Sequence, residues 1–341
     1  MTAIGSQRSE MVKRNNVSKK FLIFSLGTLL LWLNIPVEAQ SPSKIPRIGI
    51  ITGSPEQSLR SSNFALFRQG LRDFGYIEGK NILFVYRYHE GNMDLLPTIV
   101  TELVDLKVDI IYTTTAQAVR AAKKVTKTIP VVMVVTPDPV AMGLVDSLAH
   151  PGGNITGLTL MGRELSGKRL ELLSEMMPRI SRVGILSATG FGAFKDYEAV
   201  APALKIHLQS LEVRPPKPDL AGAFRAAAKG RLQALISVRL PLLALYQKQV
   251  IDLALQNRLP LMTEHAEWVE NGALVTYAAN DAESFKRAAV FVDKILKGAK
   301  PADLPVEQPT KFDFVFNLKT AKQIGFSVPP NVLVRATKVI K

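Results

Sequence analysis

The sequence predicts an α/β protein of two lobes, each a parallel sheet covered by helices, with a hinge between them. Three observations predict it. From Arg47 onward, short and almost wholly apolar runs alternate with segments of helical period, a pattern that suits parallel strands buried on both faces. Halfway along, the alternation starts afresh: Arg182-Val-Gly-Ile-Leu186 repeats the composition and spacing of Arg47-Ile-Gly-Ile-Ile51. The 341-residue chain is also long enough for two cores of ordinary size.

The first 39 residues stand apart. Arg8, Lys13, Arg14, Lys19 and Lys20 precede an apolar run from Phe21 to Leu33, and Val37-Glu38-Ala39 follows before Gln40. That order is expected of a secretory signal peptide cleaved after Ala39, and residues 11–39 alone complete it. The run falls short of the roughly 18–20 apolar residues a spanning helix needs. With no cysteine in the chain, no lipid anchor is expected.

In the first lobe, residues 40–160, Ile48–Thr52 reads as a strand ending in the turn residues Gly53-Ser54-Pro55. Phe64, Phe67, Leu71 and Phe74 recur at helical spacing until Gly75, which suits a helix stop. Ile82–Tyr88 is a second strand, and Leu96, Ile99, Val100, Leu103 and Val104 mark a second helix. Asp109–Tyr112 is a third strand, followed by Thr113-Thr114-Thr115 and a helix from Ala116 to Lys124. Val131–Val135 is the fourth, ending in Thr136-Pro-Asp-Pro139.

The lobes join near Pro151–Gly167. In the second lobe, residues 161–281, Arg182–Leu186, Leu208–Val213, Ala234–Val238, Pro260–Thr263 and Gly272–Tyr277 read as strands. Residues 195–206, Leu220–Lys229 and Leu242–Gln256 read as helices, with Ser174–Pro178 and Pro215–Pro218 as surface connections. The helix at 282–298 follows a lobe that already reads as complete, and is expected to return to the first. Residues 299–341 are expected to cross back and pack on the second. The resulting fold class is two Rossmann-like lobes with parallel sheets.

Composition excludes several chemistries. Without cysteine there are no disulfides, thiol nucleophiles or thiolate metal sites. The net charge of +14 becomes +11 beyond residue 39, since that segment holds five basic and two acidic residues. Arg68, Arg72, Lys123, Lys124, Lys294 and Lys297 are scattered singly, so no nucleic-acid stripe is formed. His89, His150, His207 and His265 lack metal-ligand spacing. No G-x-S-x-G or G-x-G-x-x-G appears. Gly162-Arg-Glu-Leu-Ser-Gly167-Lys168 has the spacing of a phosphate loop, but Arg169 follows where Ser or Thr must hold magnesium. The chain is therefore read as neither an NTPase nor an enzyme, with no catalytic residue, metal or cofactor.

The positive signal lies beyond the strands. In open parallel sheets, ligands sit past the carboxyl ends, where helix N-termini present free N–H groups. On the first lobe those positions are Thr52, Ser54, Thr114, Thr115, Ala116, Thr136 and Asp138. The threonines and Ala116 suit a carboxylate or other small anion. Asp138, between two prolines, admits two readings: pairing with an ammonium group, or capping the next helix. On the second lobe the positions are Ser187, Thr189, Arg239, Glu264, Tyr277 and Asn280. Tyr277 suits either ring stacking or a core edge, and Glu264, beside His265 and Glu267, either acid–base work or a polar strand end.

Several ordered phrases then stand out: Phe67-Arg-Gln-Gly-Leu71, Gly75-Tyr-Ile-Glu-Gly-Lys-Asn81, Thr136-Pro-Asp-Pro-Val140 and Pro151-Gly-Gly-Asn-Ile-Thr-Gly157. Glu164-Leu-Ser-Gly-Lys-Arg-Leu170, Pro305-Val-Glu-Gln-Pro-Thr-Lys-Phe312 and Asn317-Leu-Lys-Thr-Ala-Lys322 continue the series. Over residues 46–340 the chain resembles the tryptophan/tyrosine-type substrate-binding proteins of ABC transporters. The resemblance implies a type I periplasmic-binding-protein fold and delivery of a small-molecule ligand to a permease with its ATPase; the signal segment implies a periplasmic location, and a monomer is expected. It also implies a ligand carboxylate near Thr114–Ala116, with a contact from Asp138. Ser187–Tyr197 departs from the family by lacking an Asn-Pro pair, so aromatic amino-acid specificity is not carried over there. The alternatives are an exported sensory binding protein and an exported hydrolase using Glu264.

Overall fold

Strands apolar at nearly every position have both faces to cover, and helices supply the cover. In this computed structural model, which describes residues 44–53 and 62–341, they do so twice. The expected signal segment and Ser54 lie outside the described residues. Among the described residues, no helix is long and apolar enough to cross a membrane.

The first lobe runs β1 (Arg47–Thr52), α1 (Ser62–Asp73), β2 (Leu83–Tyr88), α2 (Leu96–Asp105), β3 (Ile110–Thr113), α3 (Ala116–Val125), β4 (Val131–Val135) and β5 (Ile155–Thr159). Its five strands pair in parallel in the order β2-β1-β3-β4-β5. One face of the sheet, with Ile48, Ile50 and Tyr112, packs on Phe64, Phe67 and Leu71. The other, with Ile51, Ile111 and Met133, packs on Leu103, Val119 and Ala122. β5 lies within a stretch read from sequence as the lobe junction. Its threonines interrupt the apolar run, but Thr156 is buried and donates to the Leu304 carbonyl at 2.6 Å.

The second lobe opens with α4 (Glu164–Met176), β6 (Arg182–Ala188), α5 (Ala193–Glu198), β7 (His207–Val213), α6 (Leu220–Lys229) and β8 (Ala234–Ser237). It continues through α7 (Pro241–Leu245), α8 (Gln247–Gln256), β9 (Leu261–Thr263), α9 (Ala266–Glu270) and β10 (Val275–Ala279). α4 runs through Ser174–Met176, where the sequence suggests a connection. The expected helix at 195–206 ends at Glu198 and resumes as a single 3₁₀ turn at Ala201–Leu204, since Pro202 withholds the N–H that a continuous helix requires.

α10 (Asp281–Leu296) then packs on α1, with Phe285, Ala288 and Val292 in the first lobe's core. A Cβ added to Gly70 of α1 would lie 2.7 Å from the Lys286 carbonyl oxygen and 2.9 Å from Ala289 Cβ. Only glycine permits that approach. After Glu307, which bridges to Leu158 of β5, come β11 (Phe312–Asn317), α11 (Leu318–Ile324), α12 (Pro330–Leu333) and β12 (Lys338–Ile340). The second sheet thus has seven strands, β12-β11-β10-β9-β8-β6-β7. β11 runs antiparallel to β10, so this sheet is mixed and the lobe is not complete at Tyr277.

Three segments therefore pass between the lobes: residues 160–163 after β5, Asn280 after β10, and residues 308–311 before β11.

Candidate functional site

The first sheet's order reverses between β1 and β3, and crevices form beyond the carboxyl ends at such a switch point. β3 ends in a local hydroxyl turn. Thr113 Oγ1 donates to the Ile51 carbonyl at 3.2 Å and accepts from the Thr115 N–H at 3.3 Å. Thr115 then takes the N-cap position of α3 in extended backbone, and its side chain makes no capping bond. The hydroxyl and the helix start face the crevice together, a combination suited to an anion.

A cavity of about 530 Å³ opens between the lobes, within the range of small-molecule sites. Thr52, Thr114, Thr115 and Thr136 supply polar groups from the first lobe; Phe64 and Tyr112 supply rings. The second lobe contributes Arg239, Leu240, Pro241, Gln247, His265 and Trp268. Phe285 of α10 and Glu267 of α9 line it as well. Glu267 Oε2 accepts from Ser62 Oγ at 2.9 Å, a hydrogen bond that joins the lobes across the opening.

Three residues of these walls carry a polar atom without a partner. Tyr112 Oη, Gln247 Nε2 and His265 Nε2 are each shut off from solvent and make no hydrogen bond among the described residues. Burial pushes the Tyr112 phenol far above its ordinary value. Burial, and then the nearby Arg239 and Arg169, hold the His265 imidazole well below its ordinary value. Its ring lies parallel to that of Trp268, with centroids 5.3 Å apart. The site accordingly offers a neutral phenol, a neutral imidazole and an amide among aromatic and aliphatic surfaces.

The sequence-predicted residues divide. Thr52, Thr114, Thr115, Thr136 and Arg239 line the cavity, while Ala116 is buried behind it at the first turn of α3. The other described residues of the set lie outside the lining. Asp138 Oδ1 accepts from the Val140 and Ala141 N–H groups at 2.9 and 3.1 Å; it closes a turn, and the helix it was expected to cap is not formed there. Ser187 is buried at the end of β6 and Thr189 is exposed beyond it. Tyr277 packs its ring against Phe312 and Phe314, the core-edge reading. Asn280 caps α10 through the Glu283 N–H at 2.8 Å. Glu264 is buried and paired with Arg169 at 2.8 Å, the polar strand-end reading.

Sequence reasoning missed Phe64, Tyr112, Gln247, His265 and Trp268. Phe64 and Tyr112 read as core, and both are indeed buried; the cavity takes their remaining edges. His265 and Trp268 sit at α9, five residues long, too short to carry a period. The one available signal was the polar-aromatic cluster Glu264-His265 with Glu267-Trp268 directly after a strand.

Two parallel-core sheets with carboxyl ends converging on an open cleft, lined by residues that carry unpartnered polar atoms, define a two-lobed binding protein. Residues 58–340 match the family described as ABC transporter substrate binding protein. The chain belongs to that family. It is 26% identical over 272 residues to the tyrosine-binding protein of Clostridioides difficile (strain R20291), covering 76% of this chain and 75% of that one. A conserved domain protein from Vibrio cholerae O1 biovar El Tor has a similar structure, with a TM-score of 0.78 at 27% identity over 87% of this chain and all of that one. So does an ABC domain in complex with L-Trp from Streptococcus pneumonia, with a TM-score of 0.75 at 23% identity over 86% of this chain and all of that one. The fold is that of type I periplasmic binding proteins.

Proposed function

We propose that the chain is the solute-capturing component of an ABC importer: it takes a small molecule into the interlobe cavity outside the cytoplasm and presents it to a permease. The ligand class is an amino acid with an apolar or aromatic side chain. One observation carries this reading. Tyr112 Oη, Gln247 Nε2 and His265 Nε2 are buried beside the cavity without partners, and a buried polar atom left unpaired costs about 1–3 kcal/mol. Native proteins keep few such groups. A polar guest would satisfy them once side-chain rotation or lobe closure brings them into contact with it. Its carboxylate would sit at Thr114, Thr115 and the N-terminus of α3, and its apolar part against Phe64, Phe285 and Trp268. Both lobes supply contacts, as closure requires, because only a difference in affinity between open and closed forms shifts the population.

The tyrosine-binding relative from Clostridioides difficile and the L-Trp complex of the streptococcal domain support the same class. A thermal-shift screen over L-tyrosine, L-tryptophan, other amino acids, short peptides, sugars and nucleosides tests it. A ligand at 100 times its Kd should add about 2.7 kcal/mol of stability, and calorimetry should give one site per chain. No shift with any amino acid, or chemical turnover of a bound one, would refute the reading.

A further inference from the structure

The phrase Glu164-Leu-Ser-Gly-Lys-Arg-Leu170 contains an arginine that no role described above requires. Arg169 lies in α4 and is 1% exposed, in a class of side chain almost never fully buried without partners. Its guanidinium reaches four. Nε donates to the Tyr277 carbonyl at 2.8 Å; Nη1 lies within reach of the Gly162 carbonyl at 3.0 Å, Glu264 Oε1 at 2.8 Å and Tyr197 Oη at 3.2 Å. Tyr197 Oη in turn donates to Glu264 Oε1 at 2.6 Å.

Gly162 belongs to a crossing, Tyr277 to the strand that leads into another, and Glu264 to the segment behind the cavity wall, while Tyr197 is buried in α5. Gly162 is in the first crossing, and its N–H donates to the Thr136 carbonyl of the first lobe at 2.9 Å. One residue is thus held by the first lobe at its nitrogen and by Arg169 of the second at its oxygen. A Cβ on Gly162 would lie 2.4 Å from Thr136 Cγ2, and Met161 before it has φ of 53°, a region that side chains other than glycine seldom occupy. Tyr277 is in β10, which feeds the second crossing. Glu264 Oε2 accepts from the Arg239 N–H at 2.9 Å, and the Arg239 guanidinium donates to the Glu264 carbonyl at 2.7 and 3.1 Å. Arg239 also pairs with Asp281 at 3.0 Å, the first residue of α10 on the first lobe.

We infer that Arg169 is a positioning residue of the hinge. It ties the second-lobe ends of two crossings to the wall that carries Arg239 and His265, so movement of that wall and rotation at the crossings occur as one event. A buried ion pair adds little stability over an apolar pair of similar volume, whereas the planar fork of arginine fixes several acceptors in one geometry. Lysine offers donors from a single point and does not reproduce that spread. The ligand half of the inference rests on the proposed function; the hinge half does not.

The chain has no cysteine, so R72C and K229C, at exposed positions on α1 and α6, accept a dye pair reporting the distance between lobes. The test compares this labelled protein with its R169M/E264L and R169K derivatives. Measurements are made without ligand and with L-tyrosine or L-tryptophan as probe, together with melting and calorimetry. The R169M/E264L protein is expected to melt below its parent, because the Gly162 and Tyr277 carbonyls, Tyr197 Oη and the Arg239 N–H lose side-chain partners, and to show a broadened ligand-free distance distribution. Its affinity for a probe falls roughly tenfold, because apparent Kd scales inversely with the fraction competent to close. R169K, keeping the charge and losing the fork, broadens to an intermediate extent. An unbroadened distribution in both variants overturns the inference; if R169M/E264L does not fold, an unbroadened R169K overturns it alone. A parent that binds neither probe counts against the proposed ligand class, and the ligand-free distributions still decide the role of Arg169.

Discussion

Acid should unfold this protein through two histidines, and the effect of one can be isolated. His265 Nε2 is shut off from solvent without a partner, and burial with Arg239 and Arg169 nearby holds the imidazole well below its ordinary value. His89 is buried, and burial lowers it also; its Nδ1 accepts from the Gly91 N–H, so a proton there would displace that bond. The unfolded chain takes up protons at both sites near pH 6.5, whereas the folded chain takes them up only at lower pH. Stability therefore rises with pH, is fully present above about 7.5, and declines as pH falls below about 6.5. A histidine that stays neutral when folded contributes a loss of about 2 kcal/mol between pH 7.5 and 5. Asp196 and Asp313, which burial pushes up, act in the opposite direction: the folded state binds their protons first, so acid favours it near the carboxylate range. Comparing variants at the same two pH values cancels their contribution. H265F keeps a flat ring against Trp268 and does not titrate. Urea unfolding at pH 7.5 and 5 should show wild type losing more stability than H265F by about 2 kcal/mol. Equal losses in the two proteins would refute the argument that His265 is held neutral.

Asp138→Ala should remove the cap of the turn after β4, lowering stability by about 1 kcal/mol, with affinity for a cavity ligand changed less than about twofold. Calorimetry showing a tenfold loss would return Asp138 to the binding surface. Gly70→Ala should push α10 away from α1 and lower stability by about 1–3 kcal/mol, read as a lower urea midpoint with an unchanged slope. An unaltered midpoint would mean that the two helices are not packed at the distance described.

The legibility of the fold follows from local chemistry. β4 reads from sequence with the bounds it has, Val131–Val135, because an uninterrupted apolar run is closed by turn residues on both sides. β5 did not read, because Thr156, Gly157 and Thr159 lie where a buried strand should be apolar. The hydroxyl of Thr156 is satisfied by Leu304, 148 residues away, and nothing near it in the chain announces that partner. β11 alternates phenylalanine with other residues, Phe312, Phe314 and Phe316, and only its antiparallel pairing with β10 makes it part of the second sheet.

The site was legible to the extent that it depends on one sheet. The carboxyl-end rule finds Thr52, Thr114, Thr115 and Thr136, all bordering the first lobe's cavity wall, because strand order within a lobe follows from chain order and crossover handedness. On the second lobe the same rule proposes the ends of β6, β8, β9 and β10 alike. Which of these ends meet the cavity depends on the angle between lobes, set by three crossings whose geometry is not local. Ser187 and Thr189 end β6, away from the lining, while Tyr277 and Asn280 lead into a crossing and are occupied there by packing and capping. The wall is built instead after β8 and β9, from Arg239 and the short helices α7 and α9. Arg239 and His265 are held there through Glu264 and, behind it, Arg169. A residue that a motif search rejects as the wrong partner for magnesium thus has its acceptors at Gly162 and Tyr277, where the lobes are joined, so neither lobe taken alone specifies the second wall of the cavity.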